Sequence, residues 1–437
     1  FFRVLERRGD PYELLHGQGD SISAGSAFVM IAPAIRRSAG ILEGEPIELR
    51  RTKLRRRLGR SLSKGDLNRV SAFLGEMIGA PFDAGFDDAL DAARKDPILM
   101  GDGMRAAWES WLKAECKRNP VILLLEDLHW GDLPTVKFVD SALRTLADQP
   151  FLVLTLARPE VHTAFPRLWA ERSLQEIRLD ALNRKAIAQF VRDTLGQGVE
   201  ESVVDMIADR SQGNALYLEE LIRAVAAGST KDIPDTIFGM LQARIDALGR
   251  DAKRALRAAS IFGEVFWRGG VTALVGEEGG AFNVSDWLEH LVNREIIVRH
   301  RQARIPGEVE YKYRHALVRD AVYTMITEVD RVVGHRLAAD WLERSGETDS
   351  LVLAEHYMRV LDAVRAVAYY TKAAERALVQ NDLGGALSYV AQGLSIGATD
   401  LARGYLCAIN VVARFYRDEW PEALQNGQVA LHLLPPG

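Results

Sequence analysis

Two short runs of the chain are apolar at nearly every position, at 121–125 and 151–157. Continuous branched apolar runs of this length are typical of strands buried on both faces of a parallel sheet. Helical spacing of apolar residues fills 135–147, so strand, helix and strand follow one another. This order predicts βαβ units and an α/β core, with further strands at 12–16 and 175–179.

Apolar residues recur at helical spacing in most of the remaining chain, as in 24–42, 105–117 and 183–227. Residues 233–330 then predict three helices followed by a β-ribbon and a further helix from His315. Three helices with a β-ribbon are typical of a winged-helix module. The predicted helices and ribbon strands lie at 236–248, 251–262, 284–294, 296–299 and 311–313.

The tail, residues 331–437, is helical and faintly repetitive. An alanine followed by an apolar residue comes soon after a turn in DAVRAVAYY, DLGGALSYV and EWPEALQNG. The interval of 37 residues from Ala386 to Ala423 is close to the tetratricopeptide period. Small alanines let paired helices approach, and one helical pair cannot bury its face alone, so we predict stacked repeats. The alternative is an unspecialised helical bundle.

Composition places the chain among ordinary globular proteins, with 437 residues, 48% apolar and 26% charged residues and a net charge of −5. Cys116 and Cys407 are far apart in helical contexts, which predicts neither a disulfide framework nor a zinc site and fits a reducing cytoplasm. The longest aliphatic run is too short to span a bilayer, so we predict no membrane segment. A dense basic run at 50–60 is usually a solvated helix face, and nucleic-acid binding is the alternative.

HGQGDSISAGSAF, residues 16–28, has the glycine spacing of a phosphate-binding turn. A P-loop also needs a lysine and a following Ser or Thr in the order GxxxxGK[ST], and no lysine occurs before Lys53. The dinucleotide fingerprint fails as well, because Gly17 and Gly19 are not followed by a third glycine that opens a helix. We therefore predict that this turn is structural.

VILLLEDLHWGD carries the most informative chemistry. A buried strand that ends in Glu126 and Asp127 delivers two carboxylates to the carboxyl edge of a parallel sheet, where open α/β folds bind ligands. One acid can hold Mg²⁺ while its neighbour orients or deprotonates an attacking water, as in a Walker B motif. The alternative is that both acids begin a loop. A metal site that includes His129 and Asp132 is disfavoured, because zinc sites draw on several His or Cys ligands.

The next predicted strand ends in TLARP, residues 155–159. A cationic group at the tip of the strand beside the acids can sense a γ-phosphate and stabilise its charge, which makes Arg158 the candidate. A solvated arginine before a proline that ends a helix is the alternative.

LLLEDLHWGD, VLTLARPE, GNALYLEEL and YRHALVRDAVY occur in this order and span much of the chain. Together they resemble the STAND class of signalling P-loop ATPases. More narrowly, they look like the AAA-type ATPase modules of bacterial adenylate and guanylate cyclases, serine/threonine kinases and LuxR-type regulators. The resemblance covers nearly the whole chain and is specific for the class, but not for the output domain.

The resemblance implies that Glu126 and Asp127 are the Walker B acids, which hold Mg²⁺, and that Thr155 and Arg158 lie at the sensor position. It places the sequence Gly213-Asn214-Ala215 at the family's GNP turn, where a lid approaches the nucleotide, although Ala215 replaces the proline. It also implies that His315 lies where some members of the wider class contact the bound diphosphate. The alternative for His315 is a capping or packing role.

The chain departs from the family because it contains no GxxxxGK[ST]. It begins at Phe1 without a methionine and already in helical periodicity, and residues 1–9 correspond to the helix that follows the P-loop in the family. We therefore expect an N-terminally truncated chain that binds ATP poorly, if at all, because the backbone nest and lysine supply most phosphate affinity.

The resulting prediction is an α/β P-loop NTPase core without Walker A at 1–180, a helical lid at 181–232, a winged helix at 233–330 and a tetratricopeptide-like α-solenoid at 331–437. The resemblance implies a cytoplasmic ATP/ADP switch that uses Mg²⁺, hydrolyses ATP slowly, binds protein partners through its repeats and controls a fused effector domain. Two alternatives stay open. They are a DNA-binding regulator that uses the winged helix, and an inactive repeat scaffold.

Overall fold

The computed structural model describes residues 2–20, 23–228, 233–276, 283–300 and 303–435. The chain forms two compact units. Unit 1 contains Phe1–Leu174, Gln302–Glu308 and His335–Gly437, and unit 2 contains Gln175–Arg301 and Val309–Gly334. The predicted α/β core and the C-terminal helices therefore fall largely in one unit, and the predicted lid and winged helix largely in the other.

A parallel sheet of three strands organises unit 1, in the order β1 (Glu13–Gln18), β2 (Val121–Glu126) and β3 (Phe151–Thr155). All three strands lie close to their predicted positions, and β2 is the central strand, as its continuous burial requires. The structure confirms an α/β core with a parallel sheet.

The strand predicted at 175–179 is wrong, because these residues join no ladder. Ile177 and Leu179 are 73% and 91% exposed. These apolar side chains therefore cover no core.

Eight helices precede unit 2 in the described sequence. Apolar helix faces and strands share a core that includes Leu15, Phe28, Ile35, Trp108 and Leu123. The helices are α1 (Phe2–Arg8), α2 (Ile31–Ala39), α3 (Ile47–Leu58), α4 (Lys64–Ile78), α5 (Asp88–Ala93), α6 (Pro97–Cys116), α7 (Leu133–Thr145) and α8 (Val161–Ala164). The helix predicted at 24–42 begins only at Ile31, because Gly25 and Phe28 have positive φ angles.

Unit 2 contains a helical segment and a small antiparallel sheet. Its helices are α9 (Arg184–Leu195), α10 (Glu201–Ser211), α11 (Ala215–Ala226), α12 (Ile237–Asp246), α13 (Arg250–Phe262), α14 (Arg268–Val275), α15 (Val284–Asn293) and α16 (Ala316–Thr324). The sheet has the order β4 (Val265–Trp267), β6 (Glu310–Tyr313), β5 (Ile297–Arg299). The predicted ribbon corresponds to β5 and β6, whereas the sequence pattern missed β4, which has only three residues.

The helices that end the chain are α17 (Glu328–Arg344), α18 (Ser350–Arg359), α19 (Ala363–Val379), α20 (Leu383–Ser395), α21 (Asp400–Phe415) and α22 (Trp420–Leu433). From α18 onward, each helix packs on the next. The repeated alanines Ala366, Ala386 and Ala423 are all buried, as close helix approach requires. The structure confirms stacked helices, whereas their assignment as tetratricopeptide repeats stays a prediction.

These C-terminal helices contact the α/β core within unit 1. The hydroxyl of Tyr389 donates a hydrogen bond to the carbonyl oxygen of Gly25 at 2.8 Å, and the Asp349 carboxylate accepts one from Ser26 at 3.4 Å. Both contacts fall on the turn that follows β1. Cys116 and Cys407 are buried and free. In the described part of the chain, no helix combines the length and apolar character needed to cross a membrane.

Candidate functional site

Glu126 and Asp127 lie at the carboxyl end of β2, where the chain leaves the sheet. Asp127 has a left-handed backbone with φ 55° and begins a 3₁₀ turn over Leu128–Trp130. The turn is tied to the neighbouring strand, because the N–H of Leu128 donates to the carbonyl oxygen of Leu156 at 3.1 Å. The acid pair therefore sits on a fixed backbone at the edge where ligands of parallel sheets bind.

Side chains of β1 hold both acids. Nε2 of His16 lies 2.9 Å from Oε2 of Glu126, and the amide of Gln18 donates to Oδ2 of Asp127 at 3.3 Å. The guanidinium of Arg37, on α2, contacts Nδ1 of His16 at 2.9 Å and donates to its carbonyl oxygen at 3.1 Å. Sequence reasoning missed these three residues. The signal was available for His16 and Gln18, because they end the strand that precedes β2 in the sequence.

Thr155 and Arg158 follow on the other side of β2. Thr155 ends β3 and lies opposite Leu125 in the ladder. The N–H of Arg158 donates to Nδ1 of His129 at 3.4 Å, and its guanidinium lies 5.4 Å from the ring centre of Trp130. The structure therefore brings four predicted site residues to one end of the sheet: Glu126, Asp127, Thr155 and Arg158.

Asp132 is a structural cap. Its Oδ1 accepts hydrogen bonds from the N–H of Phe28 at 2.9 Å and of Thr135 at 2.7 Å, and Oδ2 accepts from the Thr135 hydroxyl at 2.6 Å. Burial raises the pKa of Asp132 to about 6, against the effect of these hydrogen bonds. Both oxygens are thus used at the N-terminus of α7, which supports the interpretation against a metal cage.

The glycines of the turn after β1 serve close packing. A Cβ on Gly17 would lie 2.5 Å from the carbonyl oxygen of Met30, and one on Gly19 would lie 2.5 Å from that of Asp127. The N–H of Gly19 also donates to the carbonyl oxygen of Glu126 at 2.8 Å. Glycine is therefore required here because two backbone segments touch, in agreement with the predicted structural role.

Unit 2 carries the remaining predicted residues. Gly213 has a φ of +80°, and a Cβ there would lie 2.7 Å from the side chain of Ala181. Asn214 caps α11, because its Oδ1 accepts from the N–H of Tyr217 at 3.0 Å. The preference for Gly and Asn at these two positions follows from local backbone geometry.

His315 directly precedes α16 and is partly buried beside a group of charged residues. Its Nε2 lies 3.9 Å from Oε2 of Glu219 and, within the described residues, is a buried nitrogen without a hydrogen-bond partner. Burial lowers the pKa of His315, the carboxylate of Glu219 opposes this effect, and the arginines around it reinforce it. A neutral imidazole is therefore favoured.

Four side chains beside His315 form a closed ring of alternating charge. Arg314 contacts Glu219 at 3.0 Å and Glu295 at 3.2 Å. Arg223 contacts the same two carboxylates, with Glu219 at 2.7 Å. Burial alone would raise the pKa of Glu219. The hydrogen bond from Arg223 and the nearby positive charges outweigh burial and lower that pKa.

The basic run at 50–60 falls on and just after α3 and is largely used inside the protein. Arg57 is buried and pairs with Glu115 at 2.6 Å and Glu13 at 2.5 Å. Arg51 forms two hydrogen bonds with Asp83, both at 2.9 Å. The expectation of a solvated face is therefore wrong for Arg57, because the carboxylate of Glu115 is itself buried and needs a partner.

No protein-family model matches the chain. The chain is 25% identical over 260 residues to an uncharacterized protein of Rhizobium meliloti (strain 1021), and the match covers 56% of this chain and 24% of that protein. The chain thus spans about a quarter of the length of this curated relative.

Two solved structures are similar to the whole or most of the chain. One is a signal transduction ATPase with numerous domains and a tetratricopeptide repeat sensor from Pyrococcus horikoshii, with TM-score 0.38, 12% identity, and coverage of 99% of this chain and 70% of that one. The other is the Aeropyrum pernix ORC1 protein in complex with DNA, with TM-score 0.31, 14% identity, and coverage of 74% and 81%.

Proposed function

We propose that this chain belongs to a STAND-type signalling ATPase and forms its ATP/ADP-dependent switch. The observation that carries the proposal is the acid pair Glu126 and Asp127 at the carboxyl end of the central parallel strand. Thr155 ends the neighbouring strand at the same edge, and Arg158 lies three residues beyond it. Ligands of open α/β sheets bind at this edge.

The acid pair has the donor chemistry of a Mg²⁺ site. Mg²⁺ prefers oxygen ligands and is usually held by one or two carboxylates together with phosphate oxygens and water. Glu126 and Asp127 supply two carboxylates, and hydrogen bonds from His16 and Gln18 orient them. When bound, Mg²⁺ would supply charge neutralisation at the phosphates.

We assign different roles to the residues at this edge. Asp127 and Glu126 would both hold the cation, and Glu126 would also accept a proton from an attacking water. Arg158, exposed beyond the end of β3, would stabilise negative charge on a terminal phosphate. The contact between its guanidinium and the ring of Trp130 limits where that charge can lie.

A phosphate-binding loop would come from outside the described residues. Among the described residues of the turn after β1, Gly17 and Gly19 lie against backbone carbonyl oxygens, which do not attract an anion. The outer edge of β3 pairs with no strand that the structure describes, and Leu152 and Leu156 are about half exposed beside it. An unpaired edge presents backbone N–H and C=O groups that another strand can bind, so these features support a further strand at this edge.

Residues of unit 2 would read the nucleotide state. We propose that Gly213 and Asn214 form the nucleotide-facing end of the lid and that His315 contacts a phosphate. Nε2 of His315 is buried and has no hydrogen-bond partner among the described residues, which supports this role because a buried unsatisfied nitrogen favours a ligand that can hydrogen-bond to it. ADP would hold the closed state, and ATP with a signal bound at the helical repeats would release a cytoplasmic effector domain.

The test uses the protein expressed from its complete coding region. We expect slow Mg²⁺-dependent ATP turnover that falls at least about tenfold in Glu126→Gln. Asp148→Asn, an exposed acid outside the site, serves as the control and leaves turnover unchanged. Absence of both nucleotide binding and turnover in the unaltered protein would refute the switch and favour an inactive repeat scaffold.

The contacts of α16 oppose the DNA-binding alternative. Arg314 pairs with Glu219 and Glu295, and Arg319 pairs with Asp320 at 3.1 Å and lies over the ring of Tyr323. Arg314, just before α16, and Arg319, within it, are thus already paired with carboxylates and contribute less counterion release on a duplex. Salt-dependent binding of duplex DNA by the protein, lost in Arg314→Gln, would reverse this conclusion.

A further inference from the structure

His16 and Glu126 lie on the same face of the parallel sheet. The register places His16 opposite Leu124, two positions before Glu126 on the neighbouring strand. Side chains two positions apart on a strand share a face, so the imidazole reaches diagonally across to the carboxylate. The ring nitrogen Nε2 and the oxygen Oε2 are 2.9 Å apart.

The other ring nitrogen of His16 faces a group that can only donate. Nη1 of Arg37 lies 2.9 Å from Nδ1 of His16, and a guanidinium carries five N–H donors and no acceptor. Nδ1 must therefore accept, which leaves the ring hydrogen on Nε2. The neutral imidazole then donates that hydrogen to the carboxylate of Glu126. These partners assign the tautomer.

We propose that His16 is a positioning residue for Glu126 and that Arg37 fixes its tautomer, so that Arg37, His16 and Glu126 form a relay. The relay anchors Oε2 of the carboxylate to β1 and thereby sets the orientation of its other oxygen. It rests on the proposed function only in giving Glu126 a role toward a cation.

A purely structural role does not account for the relay. The side chains of His16 and Glu126 are 29% and 35% exposed, and Arg37 is exposed. A single hydrogen bond of this kind contributes about 0.5–1.5 kcal/mol to stability. Hydrogen bonds to metal-binding carboxylates have a larger effect on function, since loss of such a partner typically weakens metal affinity about 10- to 100-fold.

The tautomer is tested by nitrogen-15 NMR of the whole chain labelled at histidine, with the His16 signals identified by their loss in His16→Gln. At pH 8 we expect the hydrogen on Nε2 and an Nδ1 resonance shifted by an accepted hydrogen bond. Arg37→Met should move the Nδ1 resonance to its unbonded position, whereas Arg37→Lys, which keeps a donor, should restore much of the shift. A hydrogen on Nδ1, or an Nδ1 chemical shift that is unchanged in Arg37→Met, would overturn the relay.

The positioning role is tested with Mn²⁺ as a paramagnetic substitute for Mg²⁺. Mn²⁺ should broaden the His16 signals of the unaltered chain. In His16→Ala, the backbone amide signals of residues next to Glu126 should need about tenfold more Mn²⁺ for the same broadening. His16→Gln keeps an N–H donor near the position of Nε2 and should recover most of the affinity. Equal affinity in the unaltered chain, His16→Ala and His16→Gln would overturn the positioning role.

The two proposals fail in different ways. If Mn²⁺ broadens no His16 signal while the tautomer and the response to Arg37→Met are as expected, the relay exists but the cation site of the proposed function does not. If Mn²⁺ broadens the His16 signals in an Asp127-dependent manner while Nδ1 carries the hydrogen, the cation site stands and the relay is wrong.

Discussion

The backbone N–H of Phe28 donates a hydrogen bond to Oδ1 of Asp132 at 2.9 Å, across 104 positions of sequence. Asp132 also caps α7 through the N–H of Thr135 at 2.7 Å. One buried carboxylate thus ties the turn after β1 to the helix that follows the acid pair. Phe28 has a φ of +58°, an unusual angle for a bulky residue, and this hydrogen bond helps to hold it there.

Asp132 should make stability depend on pH. Burial raises its pKa from 3.8 to about 6, so its contribution to the free energy of unfolding is fully present below pH 3.8 and is lost as pH rises through 6. In the unaltered protein the free energy of unfolding should therefore fall by about 3 kcal/mol as pH rises through this range, and Asp132→Asn should remove this fall. Urea unfolding at several pH values measures the free energy of unfolding, and Asp148→Asn is the control. Parallel pH profiles for Asp132→Asn and the unaltered protein would contradict the assignment.

Gly17→Ala should destabilise the protein, because the added methyl group would lie 2.5 Å from the carbonyl oxygen of Met30 and the backbone would have to move. We expect a loss of about 1–3 kcal/mol, the usual cost of overpacking. Gly65→Ala is the matched control, since it lies in the first turn of α4 with its nearest neighbour at 3.8 Å. It should raise the melting temperature slightly, and a comparable loss in both variants would disprove the steric argument.

Adjacent arginines of the basic run should behave differently. Arg57→Met leaves the buried Glu115 without its main partner, so we expect a loss of about 3–5 kcal/mol in the free energy of unfolding. Arg56→Met, at an exposed position, should change it by less than about 0.5 kcal/mol. Chemical denaturation of both variants decides the matter. Equal small effects would mean that the run is a solvated face after all.

Arg244→Met should destabilise unit 2, because Arg244 contacts the buried carboxylate of Glu220 at 2.5 Å and donates to the carbonyl oxygen of Arg294 at 2.6 Å. Burial raises the pKa of Glu220 in spite of this partner. Arg223 remains nearby at 3.9 Å, so we expect a loss of about 2 kcal/mol. Protection of unit 2 amides from hydrogen exchange reports the change. The double variant Arg244→Met with Glu220→Met should recover part of the lost stability, because it also removes the unpaired carboxylate. If it recovers none, the buried charge of Glu220 is not the cause of the loss.

Strong periodic segments made the fold predictable, and short or unpartnered ones did not. β2 is recognisable because a central parallel strand is buried on both faces and needs an unbroken apolar run. β4 was missed because three residues show no period. The strand predicted at 175–179 is wrong, because a short apolar stretch forms a strand only where a neighbouring strand pairs with it.

The candidate site was predictable as far as it lies on one stretch of sequence. Glu126 and Asp127 follow from the end of an apolar run, and Arg158 follows from the next run. The relay was not predictable, because it depends on the register of β1 against β2 and on the packing of α2. Composition around His16 gives no sign that its ring lies between a cation and an acid.

The hydrogen bond from Tyr389 to the carbonyl oxygen of Gly25 ties the far end of the polypeptide to the stretch that looked most like a phosphate loop. Gly19, at the start of that stretch, rests on the backbone of Asp127. A ligand that tilts α20 would therefore displace Gly25, and with it the turn whose Gly19 packs against the backbone of Asp127.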